Sequence, residues 1–141
     1  MVHALTEAQR VLKPDGILID LRPTHKHRRA GLGMGKDWQM VGVMREDFAD
    51  DLAADHAVTQ VVRSGLFQRE LLISFDLDRV MDTLQDFHTW LTEFNVNQLP
   101  SHEWLYQKVE RALARKRTNA KITVRGSMRL GVMRKLKEQI E

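Results

Sequence analysis

The 141-residue chain contains no cysteine. That absence excludes disulfides, thiolate metal sites and a cysteine nucleophile, and it fits a reducing, cytoplasmic compartment. Long apolar runs are missing too: the longest extend about four or five residues, far short of the roughly 20 that span a bilayer. The N-terminus lacks the charged, apolar, small-residue succession of a secretory signal, so the sequence predicts a soluble protein with no membrane partner. No Ser-His-Asp order, acid pair or Walker-type phosphate loop stands out. No internal repeat or low-complexity linker divides the chain, and its length suits one domain with an ordinary core.

What is present includes a marked charge asymmetry behind a formal net charge of +3. Residues 108–137 hold eleven Lys and Arg against one acid, Glu110, whereas Glu46, Asp47, Asp50, Asp51 and Asp55 form an acidic stretch. A basic segment is either a solvated face or a surface for nucleic acid or an acidic protein. Lys108, Arg111 and Arg115 share a helix face by their spacing, and Lys121 and Arg125 share the outward face of a strand. Together they form a candidate phosphate-tracking patch. No aromatic residue interleaves with it in sequence, which argues against single-strand stacking.

The first seventeen or so residues carry the sharpest pattern. Leu5, Ala8, Val11 and Leu12 fall on one face of a helix. Pro14 and Gly16 end that helix, with Gly16 taking a positive φ in the turn. Residues 17–21 then read as a strand that is apolar on both faces except at Asp20, as in a sheet covered by helices. Residues 22–36 read as a loop. A short strand is expected over 38–43, and after it a helix with the stripe Phe48, Leu52, Val58 and Val62 that stops at Gly65. Residues 67–77 alternate as a third strand, and Asp78 is the expected cap of a helix bearing Val80, Leu84, Phe87, Leu91 and Phe94. Pro100 and Ser101 mark the start of a helix with Trp104, Leu105, Val109, Ala112 and Leu113 inward. A fourth strand is expected over 120–125, ended by Gly126, and a closing helix over 128–140 with Val132, Met133, Leu136 and Ile140 inward.

The segment Glu7, Arg10-Val11-Leu12-Lys13-Pro14-Asp15-Gly16 and the strand through Asp20 resembles the stretch leading into the fifth strand of class I S-adenosylmethionine-dependent methyltransferases. That family usually has Gly where Asp15 stands, and Asp also tolerates turn geometry. The resemblance implies an α/β fold matching the C-terminal half of that Rossmann-like domain. Its small mixed sheet would hold the fifth, seventh and sixth strands, here near 17–21, 120–125 and 67–77, flanked by helices. It implies S-adenosylmethionine as cofactor and methyl transfer as activity. In the family the cofactor lies on a Gly-rich turn after the first strand and an acid ending the second, and neither can be placed here. The isolated chain is therefore expected to bind the cofactor weakly or not at all. Gly31, Gly33 and Gly35 spell Gly-x-Gly-x-Gly, yet residues 24–29 ahead of them are no strand and residues 38–41 behind them look extended. A plain loop therefore competes with a nucleoside-cradling role.

On the same resemblance, the edge of the 17–21 strand would be open and apolar. A homodimer, or a partner chain supplying the missing strands, is expected there, with a shortened reading frame as the plainer alternative. The loop leaving that strand borders the ligand crevice of open α/β sheets, which makes Asp20, Arg22, His25 and His27 candidate substrate contacts. Arg suits carboxylate or phosphate and His can accept a proton. The competing reading is an Asp20 bonded within its loop beside solvated neighbours. His25 and His27 are not expected to hold a metal, since Lys26, Arg28 and Arg29 repel a cation and no third ligand lies near.

Overall fold

A computed structural model describes residues 1–94, 102–116 and 119–137. The elements in chain order are α1 (Val2–Val11), β1 (Ile17–Pro23), β2 (Arg29–Leu32), β3 (Gln39–Val43), α2 (Ala49–Arg63), β4 (Phe67–Met81), α3 (Leu84–Thr89), α4 (His102–Arg115) and β5 (Ile122–Lys135). The class is mixed α and β, with antiparallel strand pairing in place of the expected mixed sheet. None of the described helices is long and apolar enough to cross a membrane. The chain separates into two compact units, with β4 and β5 contributing to both.

The first unit holds residues 1–25, 49–75 and 128–141. Here β1 pairs with β5 from Ile17 opposite Arg134 to Pro23 opposite Met128, and β4 pairs with β5 as well. Helices α1 and α2 bury Leu5, Ala57, Val58 and Val61 with Phe67 and Met133, and Leu18 of β1 packs against this cluster. Because side chains alternate along a strand, the Leu18 face of β1 is half-buried while Ile17, Ile19 and Leu21 on the other remain 48%, 64% and 53% exposed. The expectation of a strand covered on both faces is thus corrected: one face is covered, and the other is an open apolar stripe on a strand at the end of the pairing order.

The helix and turn before β1 differ in two details. Val11 is exposed, and Gln9 takes the buried place on α1. The positive φ belongs to Asp15 (61°) and not to Gly16. Gly16 is required for space: a Cβ there would lie 2.8 Å from the Lys13 carbonyl oxygen, to which the Gly16 amide donates at 2.9 Å. Asp15 is among the few residue types that enter the left-handed region at modest cost.

The second unit holds residues 26–48 and 76–127. Its core gathers Leu32, Met81, Phe87, Trp90, Leu91, Leu105, Val109, Ile122 and Val124. Strand β2, inside the segment expected to be a loop, pairs with both β3 and β5. Trp38 fixes it: the Trp38 indole donates to the Thr123 carbonyl at 3.1 Å and lies so close to Gly31 that a Cβ there would sit 2.6 Å from its Cε2. Gly33 and Gly35 take positive φ in the turn after β2. These three glycines serve strand packing and a turn.

The next two corrections share one cause, strands that run longer than their local signal. Asp78 and Val80 lie in β4, and the cap of α3 is Thr83, whose hydroxyl accepts from the Asp86 amide at 3.0 Å. Gly126 does not end β5, and residues 128–135 are strand where a closing helix was expected; Ile140 lies outside the described residues. Phe48 and Leu52 are not part of a buried stripe, since α2 begins at Ala49 and Leu52 is exposed. Trp104 of α4 is exposed, while Leu105 and Val109 point inward as expected. The expected helix start at Pro100 and Ser101 lies outside the described residues, as does the Phe94 side chain.

Candidate functional site at the end of strand β1

Asp20 and Arg22, two residues apart, share the covered face of β1, and the turn beyond it brings His25 to the same place. The Arg22 guanidinium grips Asp20 through both oxygens, with Nε donating at 2.7 Å and a terminal nitrogen at 2.9 Å. Its remaining terminal nitrogen reaches Asp55 of α2 at 2.5 Å. The other Asp55 oxygen lies 2.5 Å from His25 Nε2 and 3.4 Å from an Arg129 nitrogen of β5. Asp55 is therefore the hub that ties α2 to two strands.

The ladder explains why an acid is needed there. Arg22 stands directly opposite Arg129, and like charges across a ladder repel. Asp55 is placed to cancel this, so two carboxylates face two guanidinium groups and His25 is the fifth member. The Arg22 pKa is pushed above its ordinary value, chiefly by the hydrogen bond to Asp20 against the opposing effect of burial, with Asp55 adding to the rise. Its side chain is only 15% exposed, as is that of Asp20. With its fork committed to two carboxylates, Arg22 positions its neighbours.

Three of the four substrate-loop candidates thus come together, and His27 does not. It belongs to the other unit, where its Nδ1 accepts from the Glu46 amide at 3.1 Å and its ring packs on Phe48 at 4.8 Å. It lines an open groove of about 980 Å³ beside β3 and α4, with His102, Trp104 and Lys108 among the other walls. No group of three His, Asp or Glu residues suited to a metal occurs among the described residues. Sequence reasoning missed Asp55 and Arg129 because both are ordinary surface charges by spacing; the pairing of β1 with β5 brings in Arg129, and the packing of α2 against those strands brings in Asp55.

The basic face is also altered by its surroundings. Lys121 meets Asp82 at 2.6 Å, and Arg125 donates to both Asp78 oxygens at 2.8 and 3.0 Å while stacking 4.3 Å over Trp38. Lys108 lies 4.9 Å over the exposed Trp104. Aromatic rings do accompany this patch, supplied by other elements, and two of its five cations are held by carboxylates. Arg111 and Arg115 continue the exposed face of α4. No family model, curated protein or solved structure matches the chain.

Proposed function

We propose that the chain supplies the C-terminal, acceptor-side half of a class I S-adenosylmethionine-dependent methyltransferase, completed at the β1 edge by strands that carry the cofactor. The observation that carries this reading is strand adjacency. In the first unit β5 lies between β1 and β4, antiparallel to its neighbours, and α2, which follows β2 and β3 in the chain, leads into β4. This order supports the reading, since the resemblance carried by the residues around Lys13-Pro14-Asp15-Gly16 implies a seventh strand between the fifth and the sixth. The open stripe of Ile17, Ile19 and Leu21 and the end position of β1 agree with a sheet that continues past β1.

The residues described do not themselves fit the cofactor. Its recognition needs a Gly-rich turn between a strand and a helix, whereas Gly31, Gly33 and Gly35 are used against Trp38 and in a short turn leading to β3. In this reading the chain contributes acceptor positioning: Arg22 and Arg129 hold Asp55, which fixes His25 through its Nε2 at the end of β1, and this cluster shapes the ground on which the acceptor sits. Much of the rate of such a displacement comes from alignment, so positioning is a sufficient role for these side chains.

Calorimetric titration of the purified chain with S-adenosylmethionine and S-adenosylhomocysteine tests this. The expected result is no heat of binding by the chain alone, and binding once it is paired with the cofactor half. That half should consist of a strand, a Gly-rich turn and a helix. Tight binding by the chain alone overturns the reading. The nucleic-acid alternative is disfavoured by the pairing of Lys121 and Arg125, and salt-dependent binding of a duplex would restore it.

A further inference from the structure

We infer that β4 is a self-pairing edge, through which two copies of the chain join antiparallel about a two-fold axis at Leu72. The inference is independent of the methyltransferase reading. In the first unit, β1 and β4 flank β5, and they end differently. The β1 edge carries Asp20 and Arg22 and terminates in Pro23, which has no N–H to offer. Residues 67–75 of β4 contain no proline, glycine or lysine, and their two charges, Arg69 and Glu70, lie near the start of the strand, where Glu70 is taken up by Arg134 of β5. Leu71, Leu72, Ile73 and Phe75 are 44%, 46%, 44% and 38% exposed. Such a row of unpaired main-chain groups flanked by apolar side chains is a template for another strand.

Symmetry and charge choose the occupant and the register. A two-fold axis normal to an antiparallel ladder must pass through a pair formed by one residue and its own copy, because hydrogen-bonded and non-hydrogen-bonded pairs alternate. Centring on Ile73 sets Glu70 against Asp76, and centring on Ser74 sets Arg69 against Arg79. Both juxtapose like charges. Centring on Leu71 or on Phe75 avoids that but sets charge against aliphatic side chains: Glu70 against Leu72 and Arg69 against Ile73 in the first, Asp78 against Leu72 and Arg79 against Leu71 in the second. Centring on Leu72 instead places Leu71 opposite Ile73, Glu70 opposite Ser74 and Arg69 opposite Phe75. It leaves no like charges facing each other between residues 69 and 75, and Glu70 stays with its own Arg134. The strand is complementary to a second copy of itself.

The cysteine-free sequence permits a direct test, because each introduced thiol is the only one. Residues paired across a ladder have Cα atoms about 4.5–5.5 Å apart, inside the range of about 4.4–6.8 Å that a disulfide spans. Position 73 is offset from its own copy by a further two residues, about 7 Å along the strand, which is out of reach. Wild-type chain should sediment as a dimer in a concentration series. Leu72→Cys should crosslink quantitatively on mild oxidation and Ile73→Cys should not. Leu72→Lys, which opposes two cations, should be monomeric with an unchanged circular dichroism spectrum, while Ile19→Lys on β1 stays dimeric. Should Leu72→Lys fail to fold, the two cysteine variants decide between the registers alone. A monomer at every concentration, equal crosslinking at both positions, or a dimer abolished by Ile19→Lys and not by Leu72→Lys would each overturn the inference.

Discussion

Asp55→Asn is the most discriminating single change in the first unit, because it removes the charge on which two strands and a helix converge. The amide is isosteric, so packing is preserved and the loss is electrostatic. It leaves Arg22 and Arg129 opposite one another with Asp20 as their remaining acid. Removing one partner of a fully buried ion pair costs roughly 3–5 kcal/mol. The members here are 15–33% exposed, so solvent relieves part of that, and about 2 kcal/mol is expected. For a chain of this length each 1 kcal/mol moves Tm by about 3–5 °C, giving a fall of about 6–10 °C by thermal circular dichroism. A second substitution isolates the cause. Arg129→Met alone should change stability by under about 0.5 kcal/mol, since it loses a 3.4 Å contact that is one-third exposed. Combined with Asp55→Asn, it should recover about 1 kcal/mol by removing one of the two facing cations. A Tm shift below about 2 °C for Asp55→Asn, or a double variant no better than the single one, refutes the account of Asp55 as the hub.

Acid stability depends on the ladder of the second unit: Arg125 holds the Asp78 carboxyl below the usual carboxylate range. A depressed folded pKa contributes stability that is complete above the unfolded pKa and is lost as pH falls through the folded one, so urea midpoints should decline only in acid, and Asp78→Asn should flatten that decline. Gly31→Ala drives a methyl group into Trp38 and the Gln39 main chain; it should cost about 1–3 kcal/mol and shift Trp38 fluorescence to the red. At φ 61° Asp15 tolerates replacement by glycine within about 0.5 kcal/mol, whereas Asp15→Val should cost about 1–2 kcal/mol in chemical denaturation.

The N-terminal helix, the Pro-Asp-Gly turn and β1 were legible because each is decided within a few residues. Helix α2 and the inward Leu105 and Val109 of α4 were legible for the same reason. What misled was local signal overruled by distant pairing. In β5, Val132, Met133 and Leu136 fall at helical spacing, yet Met128, Leu130 and Val132 also alternate. Two strands, β1 and β4, require a neighbour there, and their ladders resolve the ambiguity. β2 has the converse problem. Its four residues include Gly31 and come after a run of cations, so propensity alone reads loop, while the register with β5 and the Trp38 contact make it strand.

The candidate site shows the same division in its charges. Asp20, Arg22 and His25 were visible as a cluster because they are neighbours in sequence. Asp55 lies 33 residues beyond Arg22 and Arg129 a further 74 beyond Asp55, and neither distance carries a spacing rule. The eleven cations of residues 108–137 looked unbalanced for that reason too: the acids opposing Lys121, Arg125 and Arg134 are Asp82, Asp78 and Glu70, placed 39, 47 and 64 residues earlier, on β4 or just past its end. Rising numbers on β4 meet falling numbers on β5, as an antiparallel ladder requires, so three cations of the basic run are cancelled by acids on β4 or just past its end. A charge excess read along the chain becomes a binding surface only where the register leaves it uncancelled. On this chain that condition moves the search for a nucleic-acid face away from β5 and onto Lys108, Arg111 and Arg115 of α4.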